Sequence, residues 1–367
     1  MPTLPTRTPE PVVTSSLPAP AHTWPDLLTA VVRGRDLDVP AARWAMTEIL
    51  TGEATAVQIA GLAVALRAKG ETVEELTGLA DAMIEQATAV PLPGRLVDVV
   101  GSGGDRSNTV NISTMAAVVA AGAGARVAKH GNRSASSACG TADVLEELGV
   151  VLDLSPEQQA RVLERAGIVF LFAPRYHSAL RHTAPARREL GIATFFNFLG
   201  PLANPARPGS QAVGVADLRM ADLVAGVLAG RGTSALVFHG DDGLDELTTT
   251  TESTVWLTRD GRLARTTFDP AQLGLARSRP EDLVGGDATV NARVVRDLLA
   301  GVGGPVRDIV LLNAAATLLA ADGPDPDADV AEQLREPLER AARAVDSGAA
   351  AAVLERWVEA TREVAAG

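Results

Sequence analysis

The chain has 367 residues, of which 46% are hydrophobic and 21% charged, and a net charge of −12; this is ordinary globular composition with room for a large core and two domains. The acidic balance argues against a nucleic-acid partner, which draws on clustered Lys and Arg, and no run reaches the roughly 20 apolar residues of a membrane helix. A single cysteine, Cys139, excludes an internal disulfide and a cysteine-built zinc cage and fits a cytoplasmic protein.

Residues 1–22 are rich in Pro, Thr and Ser and lack the basic start and apolar core of a secretory signal, so they read as a disordered tail. Residues 23–92 then read as a small helical domain of four amphipathic helices. Thr23 caps the first and Gly34 ends it; Asp38 with Pro40 opens the second and Gly52 closes it. Thr55 and Gly70 bound the third, and Thr72 with Glu75 forms a capping box for the fourth.

Pro91-Leu92-Pro93-Gly94 breaks this pattern, and short apolar strands alternating with helices follow, the signature of a mostly parallel α/β sheet. The strand candidates are Leu96 to Val100, Arg126 to Ala128, Ile168 to Phe172, Gln211 to Val215 and Ala235 to His239. Thr254 to Thr258 and Leu263 to Phe268, joined across Asp260-Gly261, read as an antiparallel hairpin appended to that sheet. Val306 to Ala366 is helical, broken at Gly323 and Gly348.

Two segments carry chemistry. The first runs from the strand at Asp98 through Gly101-Ser102-Gly103-Gly104-Asp105 to Thr109, and a helix opens at Asn111-Ile112-Ser113-Thr114. Glycines let a backbone approach phosphate closely, and a helix start adds partial positive charge. Alone, the glycines fit a plain strand-to-helix turn as well. The second segment, Lys129-His130-Gly131-Asn132-Arg133-Ser134, continues through Ser136 and Ser137 to a helix start at Thr141. It packs two cations, an amide and several hydroxyls behind a strand end, where ligands of α/β sheets sit. Lys129 and Lys69 are the only lysines in the chain, and a lysine there is a compact charge for phosphate.

Together these segments resemble the anthranilate phosphoribosyltransferases. The likeness continues through Phe172-Ala173-Pro174-Arg175-Tyr176-His177, Arg187-Arg188-Glu189-Leu190-Gly191, Phe196-Asn197-Phe198-Leu199-Gly200-Pro201-Leu202-Ala203-Asn204-Pro205 and Gly243-Leu244-Asp245-Glu246. The resemblance implies a homodimer of helical and α/β domains, the latter built from 93–186 and 208–367, with a segment near 187–207 crossing back to the helical domain. It implies transfer of a phosphoribosyl group from phosphoribosyl pyrophosphate (PRPP) to anthranilate. By the same resemblance both segments bind PRPP, and Gly101, Asn132 and Arg187 meet anthranilate. Ser113, Asp245 and Glu246 would then hold Mg²⁺. Read alone, Asp241, Asp242, Asp245 and Glu246 are also what a solvated acidic turn carries.

An aryl amine is neutral at pH 7, so the reaction asks for no general base. His130 lines the site on this reading, while His22, His177, His182 and His239 are structural or exposed. Arg106 stands where the family commonly has glycine. The nearest rivals are a pyrimidine nucleoside phosphorylase, disfavoured by Lys129 to Ser134 and the Arg187 region, and a non-catalytic relative of the fold.

Overall fold

The computed structural model describes residues 22–133 and 138–367; the tail expected over 1–22 therefore falls outside it but for His22, as do Ser134, Ser136 and Ser137. Four helices come first, α1 (Trp24–Val32), α2 (Val39–Thr51), α3 (Ala56–Lys69) and α4 (Val73–Glu85). Each starts where local chemistry directs: the side chains of Thr23, Asp38, Thr55 and Thr72 accept from the backbone N–H groups of Asp26, Ala41, Gln58 and Glu75. Gln58 and Glu75 complete capping boxes.

The remainder runs β1 (Val97–Gly101), α5 (Ile112–Gly122), β2 (Val127–Gly131), α6 (Thr141–Leu148), α7 (Pro156–Ala166), β3 (Ile168–Phe172), α8 (Ala173–Tyr176), α9 (Ala184–Leu190), β4 (Ser210–Gly214), α10 (Leu218–Gly230) and β5 (Ser234–Gly240). The hairpin β6 (Ser253–Arg259) and β7 (Arg262–Phe268) follows, then α11 (Ala288–Leu299), α12 (Pro305–Asp322), α13 (Val330–Asp346) and α14 (Ala349–Ala366). One seven-stranded sheet has the order β3-β2-β1-β4-β5-β6-β7. The first five strands are parallel and the hairpin adds two antiparallel ones. Asp260 and Gly261 both take positive φ at its tip, as a two-residue hairpin turn demands.

Side chains alternate across the sheet with the period of two that a pleated strand imposes. Val99, Ala212, Leu236, Phe238, Val255 and Leu257 enter one core with α5, α12, α13 and α14. Val100, Val213, Ala235, Val237 and Trp256 face the other way and share a core with α1 to α4. The two cores lie on opposite faces of the sheet, so the helical bundle packs on the same strands that end in the cleft.

Two differences from the sequence reading have simple causes. β2 continues through Lys129 and His130 to Gly131, because those polar side chains are buried and paired rather than solvated. Helix α11 is the second difference: Asp287 caps it by accepting from the Val290 N–H, and its buried face of Ala292, Val295, Leu298 and Leu299 begins with a polar residue, Asn291, which weakens the apolar signal at its start.

Candidate active site

The cleft lies at the C-terminal edge of the parallel strands, where β1, β2 and β4 end in Gly101, Gly131 and Gly214. Beyond Gly101 the turn has Gly103 and Gly104 at φ of 70° and 88°, and Arg106 and Asn108 also have positive φ, 61° and 51°. A left-handed backbone is unfavourable for any residue with a Cβ, so Arg106 and Asn108 hold a conformation that a glycine would adopt more readily.

Asp245 closes the floor of this turn. Its Oδ2 accepts from the Gly103 N–H at 2.6 Å, and its neighbour Glu246 accepts through Oε1 from the Ser113 N–H at 3.1 Å. The adjacent acids thus grip the two ends of the first wall, one at the turn and one at the start of α5. Space there is tight: a Cβ on Gly101 would lie 2.4 Å from Asp245 Oδ2, and one on Gly214 would lie 1.6 Å from the Asp245 carbonyl oxygen.

Lys129 sits beneath the cradle, 1% exposed. Its ammonium donates to Val99 O at 2.5 Å and to Ser113 Oγ at 3.2 Å. Burial lowers its pKa against the opposing pull of Asp98, Glu246 and Asp245. Burial pushes the Asp245 carboxyl up to about 7, helped by the nearby Asp105 charge, and raises Glu246 well above the usual range, helped by Asp245. One buried cation faces a surplus of acids, so the site is short of positive charge.

That deficit, together with two carboxylates and the Ser113 hydroxyl, suits a hard divalent cation that prefers oxygen. Among the described residues no three His, Cys, Asp or Glu side chains form a cage. An ion held here would complete its shell with substrate and water oxygens, as Mg²⁺ commonly does.

The second wall is tied to the first. Thr114 Oγ1 donates to Thr141 Oγ1 at 3.3 Å, and Asn111 Nδ2 donates to the Cys139 carbonyl at 3.2 Å. Asn132 accepts the Arg133 N–H on its own side chain. The Arg133 guanidinium turns to Asp143 and Glu146, at 2.6 and 2.7 Å, and lies over the Phe172 ring. Asp105 accepts from the Ser107 N–H. Ile112 is buried at 1% exposure with its N–H bonded to Val110 O, and Thr109 forms an isolated antiparallel bridge with Val284. Direct contacts join Gly101, Gly103, Ser113, Lys129, Asp245 and Glu246, with Gly104 next to them in the open part of the turn.

Arg187 on α9 lies half-buried with its guanidinium over the Phe196 ring, 5.4 Å from the centroid. It has no ion-pair partner among the described residues, and burial lowers its pKa. The segment that carries it packs on α3 through α9 and residues 195–197, and reaches the second wall where His130 Nδ1 meets Gly200 O at 3.2 Å. With Nδ1–H given to that carbonyl, His130 Nε2 is an unprotonated acceptor, buried and without a partner among the described residues. Burial holds His130 down to about 3, and His177, its ring 5.2 Å away, to about 4. Neither is a cation at neutral pH.

Asp98 and Asn204 were not singled out for the site. Asn204 Nδ2 donates to Asp98 Oδ2 and to Ala128 O, both at 2.8 Å, and Asp98 Oδ1 accepts the His130 N–H at 3.1 Å. Asp98 thereby locks β1, β2 and the crossing segment together. A charge inside an otherwise apolar strand was the available signal.

Residues 93–351 match the family described as "Glycosyl transferase family, a/b domain", and 25–87 match "Glycosyl transferase family, helical bundle domain". The anthranilate phosphoribosyltransferase of Arthrobacter sp. (strain FB24) is 58% identical over 348 residues, covering 95% of this chain and 99% of that protein. The chain belongs to the anthranilate phosphoribosyltransferase family. The enzyme of that name from Nocardioides sp. (strain ATCC BAA-499 / JS614) is 59% identical over 92% of this chain and 99% of its own length.

Two solved members extend the likeness to structure. The anthranilate phosphoribosyltransferase of Thermus thermophilus has a TM-score of 0.85 at 40% identity, covering 92% of this chain and 99% of its own. That of Saccharomyces cerevisiae in complex with PRPP and Mg has a TM-score of 0.83 at 25% identity, covering 93% and 98%.

Proposed function

We propose that this chain joins the 5-phosphoribosyl group of PRPP to the amino group of anthranilate, releasing pyrophosphate and giving N-(5-phosphoribosyl)anthranilate, a step of tryptophan biosynthesis. The observation that carries this reading is the grip of Asp245 on the Gly103 N–H and of Glu246 on the Ser113 N–H. It sets a carboxylate at each end of the glycine-rich turn, where a divalent cation would offset the repulsion between these acids and a bound polyanion.

The chemistry divides between the walls. Pyrophosphate leaves C1 of the ribose as the ring gains oxocarbenium character, so catalysis rests on accepting charge at the departing oxygens. The turn from Gly101 to Asp105 and the start of α5 at Asn111 to Thr114 would face those oxygens, with the Gly103 and Ser113 N–H groups already held by Asp245 and Glu246. Mg²⁺ bound through Ser113, Asp245 and Glu246 would supply charge neutralisation for the leaving group. Lys129 holds the floor in place from below and adds positive charge. The second wall, from His130 through Asn132 to Thr141, would hold the ribose and its phosphate.

Anthranilate would enter from the side of α9, its carboxylate paired with Arg187, whose planar donors suit a carboxylate. Asn132 would orient the amine toward C1. That amine attacks without prior deprotonation. Once the C–N bond forms, the nitrogen is acidic enough to release its proton to water or to departing pyrophosphate, and His130 and His177, both held neutral by burial, need not act.

We take residues 23–92 as the helical unit and 93–186 with 208–367 as the α/β unit, with 187–207 bridging them. We further place the protein in the cytoplasm as a homodimer. Val57, Gly61 and Val64 are spaced along one face of α3 and exposed, as is Val32 on α1, which supports self-association through the helical unit. No described helix is long and apolar enough to cross a membrane.

The test is the loss of anthranilate fluorescence on mixing the protein with anthranilate, PRPP and Mg²⁺, with EDTA as control. A decay that EDTA stops supports substrate, reaction and metal together. No decay with PRPP still bound would discard anthranilate as acceptor, and phosphorolysis of thymidine would favour the phosphorylase reading.

A further inference from the structure

Residues 283–291 carry none of the groups assigned so far, yet they touch both walls of the cleft. Leu283 O accepts from the Val110 N–H at 2.9 Å, and the Gly285 N–H donates to Asn108 O at 2.8 Å. With the Thr109–Val284 bridge, these contacts make 283–285 a short strap lying antiparallel to the outgoing limb of the glycine-rich turn. A side chain at 285 has no room, since its Cβ would meet Asn291 Oδ1 at 2.8 Å and Thr109 O and Val110 N at 3.0 Å.

Asn291, 2% exposed on the first turn of α11, uses both ends of its amide. Its Oδ1 accepts the Gly286 N–H at 2.8 Å, which fixes the strap. Its Nδ2 donates to Asn111 Oδ1 at 2.8 Å. Asn111, although it precedes α5 in the capping position, makes no cap bond with its side chain; it passes the chain of contacts on, donating to the Cys139 carbonyl in the second wall.

The glycine-rich turn needs such a brace. With Gly103, Gly104, Arg106 and Asn108 all at positive φ, it belongs to no helix or strand, and an unbraced loop of this kind loses affinity through the entropy of ordering when its ligand arrives. We propose that Asn291 is a positioning residue for the phosphoribosyl donor. Through the strap it fixes the outgoing limb of the turn, and through Asn111 it sets that limb against the second wall. The proposal rests on the reading of this turn as the PRPP cradle.

Two full-length variants test it. Asn291→Asp keeps an acceptor for Gly286 but places an oxygen against Asn111 Oδ1, so Asn111 must lose either that contact or the Cys139 one; Asn291→Ala removes both ends of the amide. Calorimetric binding of PRPP with Mg²⁺, KM for each substrate and melting without ligand are compared with the parent. The expected result for Asn291→Asp is a rise of about tenfold in the Kd and KM for PRPP, the scale of one lost buried polar contact, with the anthranilate KM shifting by less than roughly twofold. Should Asn291→Ala fail to fold, Asn291→Asp decides alone. PRPP binding unchanged in Asn291→Asp, or both KM values raised by one common factor, would overturn the proposal while the parent's PRPP binding upholds the cradle. A parent chain that binds no PRPP would overturn both.

Discussion

Asp245 is held between two backbones: its carboxylate accepts the Gly103 N–H at 2.6 Å, while its carbonyl oxygen lies where a Cβ on Gly214 would be, 1.6 Å away. The acid that closes the glycine-rich turn is therefore positioned by a glycine at the end of the neighbouring strand, 31 residues before it.

Gly214→Ala should push Asp245 off the turn. The overlap cannot be relieved by a side-chain rotation, because the atom met is backbone. We expect a loss of about 1–3 kcal/mol in stability, the cost of overpacking a tight site, and a fall of more than about tenfold in kcat/KM for PRPP. Thermal melting and steady-state kinetics check both, and parent-like kinetics would show that Asp245 is not fixed by this contact.

Removing the acidic pair, Asp245→Ala with Glu246→Ala, should abolish the response to Mg²⁺ together with most activity, to below about 1% of the parent, a loss of at least about 2.7 kcal/mol in transition-state stabilisation. The variant also leaves the Gly103 and Ser113 N–H groups without their acceptors, so melting without ligand is measured beside the kinetics. A variant that stays fully active with Mg²⁺ would move the metal elsewhere.

Arg187→Ala should raise the KM for anthranilate by about 10- to 100-fold, the usual range for a charge-assisted contact, and leave the KM for PRPP nearly unchanged. Arg187→Lys should recover only part of this, since an ammonium cannot form the paired contact. Equal changes in both KM values would remove Arg187 from the anthranilate site.

His177 makes stability depend on pH. Burial lowers its folded pKa to about 4 from an ordinary 6.5, with its Nε2 donating to Ala203 O at 2.8 Å. The unfolded chain therefore binds the proton more readily. Stability is highest above pH 6.5 and is lost as pH falls toward 4, by at most about 3 kcal/mol from this group. His130, with Lys129 beside it, acts in the same direction, while Asp98, raised to about 6 by burial, opposes it. His177→Gln keeps a donor for the carbonyl and should flatten the decline of melting temperature between pH 6.5 and 4. An unchanged slope would mean that other groups set the acid limit.

What the sequence determined by itself was local. Thr23, Asp38, Thr55 and Thr72 cap their helices with N–H groups three residues on, a range at which the amino-acid code is read directly. Alternation of apolar residues marked the strands, Asp260-Gly261 marked the hairpin, and the order of motifs from Gly101 to Glu246 carried the family. The tertiary structure decided which polar groups face the cleft and which support it. Lys129 proves to lie beneath the cradle, and Arg133 turns to Asp143 and Glu146, because burial and partner choice depend on what packs from elsewhere. The bonds Asn204 to Asp98 and Asn291 to Asn111 join residues 106 and 180 positions apart. No pattern along the chain encodes such a pair; each bond exists because the sheet order brings β1 beside β4 and the strap beside the turn, and a buried amide or carboxylate there must find a partner or cost the fold stability.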